Sequence, residues 1–170
     1  MRRFLLSTSL SILLLSPLTL KAAEPATYTN PILYVDYSDP DLIRVGADYY
    51  MVASSFHFSP GIPVLKSRDL VHWSLVGHVL PKLPFAPEYD MPGPFQLDDT
   101  KSKPVDGTRY ASGVWAPSIR HHNGLFHVYW ATPDEGVFMA TAEKPEGPWT
   151  APVQVIAKPK LEDPCPFWDD

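Results

Sequence analysis

Three stretches of this chain begin alike. SDPDLIRVGADYY (38–50), WAPSIRHHNGLF (115–126) and EDPCPFWDD (162–170) each open on an X-Pro pair and run into a short apolar segment; the first two then reach a turn. A unit that recurs along a chain constrains its fold more tightly than composition does. Each copy is too small to bury its own apolar face and must stack on the next.

The segments between these starts read as strands. Short β-branched and aromatic runs at 42–45, 49–54, 63–67, 74–79, 119–122, 125–131, 137–141 and 153–156 alternate with Gly, Pro, Asp and Asn turns. With 20 prolines and few helix-forming runs, the chain is expected to be all-β. Arg44 and Arg120, Tyr50 and Phe126, Val52 and Val128, and Trp73 and Trp149 each stand 76 residues apart. Each copy holds four short strands, which is the make-up of a propeller blade. The units start at Pro40, Pro117 and Pro164. The second spacing is an ordinary blade length. The first carries an excess in residues 81–113, rich in Pro and polar residues, which reads as a loop at the mouth of a site because it leads into GVWAP. Residues 163–170 are then expected to be the first strand of a third blade. Residues 24–170 are accordingly read as the N-terminal part of a propeller domain, a truncated product.

Residues 1–23 stand apart from this pattern. A basic start at Arg2 and Arg3, an apolar core from Phe4 to Leu15 and a polar approach to Ala22 and Ala23 have the layout of a secretory signal peptide. The core is too short to span a bilayer. The chain is therefore expected to be exported, to the periplasm or outside the cell. Without this leader the chain holds 11 basic and 19 acidic residues, a net charge of −8. That balance argues against nucleic acid or an anionic membrane as partner. A single cysteine, Cys165, rules out an internal disulfide framework, so a packed core must supply the stability.

The three unit starts differ where chemistry would matter. They read Ser38-Asp39-Pro40, Trp115-Ala116-Pro117 and Glu162-Asp163-Pro164, so two present a carboxylate and the middle one presents Ala beside a Trp. Asp-Pro also serves as a plain turn device, a reading that explains less well why the middle copy lacks the Asp. First strands of propeller blades line the central axis, so these carboxylates are expected to converge. Convergent carboxylates beside aromatic rings suit sugar chemistry. One deprotonates water, an acid protonates the leaving oxygen, and a third carboxylate keeps that acid protonated. The rings of Trp115 and Phe56 would pack on apolar sugar faces.

NPILYVDYSDPDLIRVGADYYMVASSFHFSPGIPVLKSRDLVHW, GVWAPSIRHHNGLFHVYW and EDPCPFWDD together resemble glycoside hydrolase family 43, most closely its β-xylosidase and α-L-arabinofuranosidase branch. The related invertase-type propellers start on Asn-Asp-Pro-Asn, whereas this chain has Ser38-Asp39-Pro40-Asp41. The resemblance implies a five-bladed β-propeller, of which about two blades and one strand are read here, often followed by a β-sandwich. It implies an inverting, exo-acting β-xylosidase on xylan-derived oligosaccharides, with Asp39 as general base. Asp163 would raise the pKa of the general acid, and Trp115 and Phe56 would line the subsite for the terminal sugar. The acid is implied on the following blade, past residue 170, and Glu162 is not at its position. The 170 residues alone are therefore expected to leave 4-nitrophenyl β-xyloside intact.

Other candidates carry less. His57, His72, His78, His121, His122 and His127 lack zinc-ligand spacing, so no metal site is expected from them. No cofactor is implied, although some family members hold an axial calcium ion. Cys165 reads as a small buried residue, His121 and His122 as part of an exposed turn, and Asp36, Asp41 and Arg44 as charge partners near the site. Two alternatives remain beside the xylosidase: an α-L-arabinofuranosidase, and a sugar-binding propeller or remnant without catalysis.

Overall fold

The structure is a computed structural model that describes residues 27–85, 89 and 111–169. Residues 1–23, read above as a signal peptide, and most of the 81–113 connection lie outside these residues.

Among the described residues eight strands form where the sequence places them, within a few residues at each end: β1 (Asp41–Val45), β2 (Asp48–Val52), β3 (Gly61–Ser67), β4 (Trp73–Leu80), β5 (Trp115–His122), β6 (Leu125–Thr132), β7 (Gly136–Ala142) and β8 (Val153–Ile156). They make two four-stranded antiparallel sheets, ordered β1-β2-β3-β4 and β5-β6-β7-β8. Each is a meander, the topology of a propeller blade. Both open with a tight hairpin. Gly46-Ala47 and Asn123-Gly124 are two-residue turns whose positive φ values (62° at Gly46, 50° at Asn123, 78° at Gly124) match the right-handed twist of the strands they join.

The blades pack face to face. Tyr50, Val52, Ile62, Val64 and Val79 of the first sheet meet Ile119, Phe126, Val128, Trp130, Phe138 and Ala140 of the second in one core. Trp130 is its largest fully buried side chain, so truncating it to Ala would cost about 3–5 kcal/mol. The inner strands β1 and β5 adjoin as well.

This packing corrects part of the repeat. The hairpins align Pro40 with Pro117 and the turn at Gly46 with the turn at Asn123, an offset of 77 residues. At that offset Tyr50 corresponds to His127, not Phe126. Tyr50 and Phe126 face each other across the interface, with rings edge to face at 5.2 Å. Opposed blades meet through opposite faces of the repeat, and strand side chains alternate between faces. A pair of contacting residues is therefore displaced by one from a pair of equivalent ones. The pairs Tyr50/Phe126 and Val52/Val128 are offset in this way, and Arg44 corresponds to His121, not Arg120. Trp73 and Trp149 remain equivalent, because the loops before them absorb the difference.

Residues 161–169 form no strand among the described residues. They nevertheless pack beside β5, where the Trp168 ring stacks on His122 at 4.5 Å and meets His127 edge-on at 5.1 Å. His121 and His122 accordingly end β5 instead of forming a turn, with the His121 ring against Phe126.

Candidate active site

The three unit starts share a backbone that L-residues rarely adopt. Asp39 (φ 49°), Ala116 (φ 30°) and Asp163 (φ 52°) all lie in the left-handed region, each directly before a proline. Such a residue costs on the order of 1–3 kcal/mol and persists only where its surroundings enforce it. Its recurrence at three corresponding positions makes it part of the blade design.

The surroundings that hold Asp39 are visible. The buried Ser54 follows the end of β2, and its N–H donates to the carbonyl of Ser38 at 3.0 Å. The Ser54 hydroxyl accepts the Ala116 N–H at 2.8 Å and donates to Asp39 Oδ2 at 2.7 Å. The direction of that chain is fixed. The backbone N–H can only donate, so the hydroxyl proton is free to point at the carboxylate. One serine thus ties the first unit's carboxylate to the second unit's start. Asp39 remains exposed.

The aromatic residues stand next to this pair. Phe56 (φ 50°) and Val114 exchange two backbone hydrogen bonds, at 2.9 and 2.8 Å, which clip the loop after β2 to the start of β5. Gly113 makes the clip possible, since a Cβ there would lie 1.8 Å from the Phe56 carbonyl oxygen. Trp115 follows at once, and its Nε1–H donates to the Ala111 carbonyl at 2.7 Å. His57 Nδ1 accepts the Ala111 N–H at 3.1 Å, and burial holds this imidazole below its usual pKa, favouring the neutral form that can accept. Asp39, Phe56 and Trp115 are thereby brought to one end of the sheets. The 540 Å³ depression lined by Leu125, Thr141, Lys144 and Thr150 lies at the opposite end of the β5–β6 hairpin.

Asp163 is exposed and takes the same backbone conformation as Asp39 on the segment beside β5. Two residues on, Cys165 is exposed rather than buried, with Sγ 3.0 Å from Arg120 Nη2. Arg120 Nη1 also donates to Asp41 Oδ2 at 2.6 Å. Burial disfavours the Arg120 cation, but hydrogen bonding to Asp41 outweighs it, so the guanidinium is held charged. Asp41 is thus a charge partner as expected. Among the described residues Arg44 makes no ion pair: its Nε donates to the Gly46 carbonyl, and it lies over the Tyr49 ring. Asp36 is exposed. Ser54 and Arg120 were missed by sequence reasoning. The Ser-Ser pair just after β2 and an Arg beside Ile119 give no signal until the blades are docked.

Strand order and blade packing define a β-propeller protein. The model for the glycosyl hydrolases family 43 matches residues 28–170, and the chain belongs to that family. It is 39% identical over 145 residues to a β-xylosidase of Formosa agariphila, covering 85% of this chain and 22% of the relative. It is 40% identical over 134 residues to a non-reducing end α-L-arabinofuranosidase of Bacteroides ovatus, covering 76% of this chain and 22% of the relative. Among solved structures, the family 43 protein BlXynB of Bacillus licheniformis superposes with a TM-score of 0.61 at 34% identity, over 84% of this chain and 27% of that one. The chain thus spans about a fifth to a quarter of the length of the relatives it matches.

Proposed function

We propose that this chain contributes the general base and part of the sugar subsite of an exported, inverting, exo-acting β-xylosidase that trims xylan-derived oligosaccharides. The observation that carries the reading is the Asp39 carboxylate, bonded by Ser54 at the start of an inner strand, at the same end of the sheets as the backbone bridge that brings Phe56 beside the start of β5. In this scheme Asp39 deprotonates a water that attacks the anomeric carbon. The aromatic rings hold the terminal sugar by its apolar face. Asp163 keeps a neighbouring carboxylic acid protonated by like-charge repulsion, so that the acid can deliver a proton to the leaving oxygen. The acid itself is assigned to no residue described here. The scheme uses carboxylates alone and calls for no cofactor. The export reading rests on the layout of residues 1–23.

The β-xylosidase of Formosa agariphila supports xylose as the terminal sugar, and the arabinofuranosidase of Bacteroides ovatus, at the same level of identity, supports arabinofuranose as the second reading. Both sugars present a compact pentose to the pocket. The test is hydrolysis of 4-nitrophenyl β-xyloside and 4-nitrophenyl α-L-arabinofuranoside by the full-length protein, with the first-formed anomer read by proton NMR. Release of α-xylose from the β-xyloside is expected, the signature of inversion. Faster release of arabinose selects the second reading. Retained configuration removes Asp39 from the role of base, and sugar binding without turnover of either substrate replaces the enzyme with a binding propeller.

A further inference from the structure

The two carboxylate-bearing segments are joined by a side chain from the blade whose start lacks a carboxylate. Arg120 lies on β5, between β1 and the segment of residues 163–169. Its Nη1 donates to Asp41 Oδ2 at 2.6 Å, and its Nη2 to Cys165 Sγ at 3.0 Å. Asp41 stands two residues after Asp39, and Cys165 stands two residues after Asp163. The two arms of one planar guanidinium therefore hold matching positions on the two segments. The centre is also fixed. Nη1 donates to the carbonyl of Ile119 at 2.6 Å, and Asp41 Oδ2 accepts the Ile119 N–H at 2.9 Å, so the fork is pinned to the backbone of β5.

The energetics argue for a geometric role. The Arg120 and Asp41 side chains are 27% and 32% exposed, so their ion pair is partly solvated and adds little net stability. A planar fork with fixed donor directions is suited to setting a distance, which a lysine ammonium on a flexible stem cannot do in two directions at once. Inverting chemistry is sensitive to where both groups stand, because a water must fit between the base and the sugar and the second carboxylate must lie close enough to the acid to keep it protonated.

We infer that Arg120 is a positioning residue that sets the separation and register of Asp39 and Asp163. The inference rests on the assignment of those two carboxylates above. It is tested by steady-state kinetics of full-length Asp39→Asn, Arg120→Met and Arg120→Lys on the preferred aryl glycoside, with thermal unfolding of each. Arg120→Met is expected to lower kcat by about tenfold or more with KM within about threefold, the pattern of misplaced catalytic groups around an intact subsite. Arg120→Lys is expected to keep the thermal midpoint yet recover only part of kcat. If Arg120→Met does not fold, Cys165→Ala cuts the arm to the Asp163 segment alone and is expected to lower kcat several-fold. Full kcat in Arg120→Met, or in Cys165→Ala where that variant stands in, overturns the positioning role while loss of activity in Asp39→Asn leaves the base assignment standing. Normal turnover by Asp39→Asn overturns both.

Discussion

The starts of the two blades share one backbone and differ in one side chain. Asp39 and Ala116 both sit before a proline at positive φ, and both open an inner strand. The hydrogen bonds around them are complementary: Ala116 gives Ser54 an N–H, and Ser54 passes a hydroxyl proton to Asp39. If the aspartate were there to make the turn, the second blade could not make the same turn with alanine. The turn belongs to the proline and the packing, which leaves the carboxylate free for another task.

Exchanging the side chain is the strongest way to break this comparison. Asp39→Ala is expected to fold, since Ala116 already occupies the equivalent backbone. It is expected to lower kcat of the full-length protein by about 10²–10⁴-fold, the usual contribution of a general base. Circular dichroism and the thermal midpoint should stay close to those of the parent. A variant that unfolds would return Asp39 to a structural role.

A smaller effect is expected at the hinge between the two starts. Ser54→Ala strips the Ala116 N–H of its acceptor and Asp39 of its donor. Leaving that backbone donor unsatisfied should cost about 1–3 kcal/mol in denaturant unfolding. A less constrained Asp39 should lower kcat roughly tenfold. Ser54→Thr keeps the hydroxyl and should restore most of both. If Ser54→Ala loses stability but no activity, the serine joins the blades without orienting the carboxylate.

The same comparison shows what a sequence reader can and cannot see. All eight strands were legible, because period-2 patterning and turn residues act locally: Asn123-Gly124 announces its hairpin whatever surrounds it. The X-Pro starts were legible as a repeat, and with them Asp39, Ala116 and Asp163. The register of that repeat was misread by one residue, since Tyr50 and Phe126 look alike for being partners in a packed interface, not equivalents in it. Ser54 and Arg120 were invisible for a related reason. Each acts between blades, and nothing in SSFHF or PSIRH says which backbone N–H or carboxylate will arrive from 60 to 80 residues away. The exposure of Cys165 likewise follows from the docking of residues 161–169 on β5, which strand pairing does not enforce.

The smallest expected effect concerns pH, and it treats both blades alike. Burial holds His57 and His78 of the first blade region below the ordinary imidazole value of 6.5. Burial does the same to His127 of the second, whose buried Nδ1 finds no hydrogen-bond partner among the described residues. A proton then binds the unfolded chain more tightly than the folded one. Stability is therefore full above about pH 6.5 and falls as the pH drops through the depressed folded values. Asp48 and Asp69 add a later stage. Lys66 and Arg68 hold Asp48 below the ordinary carboxylate value of 3.8, and hydrogen bonds from His72 and its neighbours do so for Asp69; what they contribute is lost only as pH falls below that value. Asp69 is exposed, and the half-buried Asp48 pairs with partly or fully exposed cations, so the second stage should be shallow. Thermal midpoints taken from pH 8 to 3 should hold steady to about pH 6.5, fall by a few degrees toward pH 5, and decline again below pH 4. His127→Gln should flatten the first decline in part, because two of the three imidazoles remain. An unchanged slope in that variant would assign the first stage to the first blade region alone.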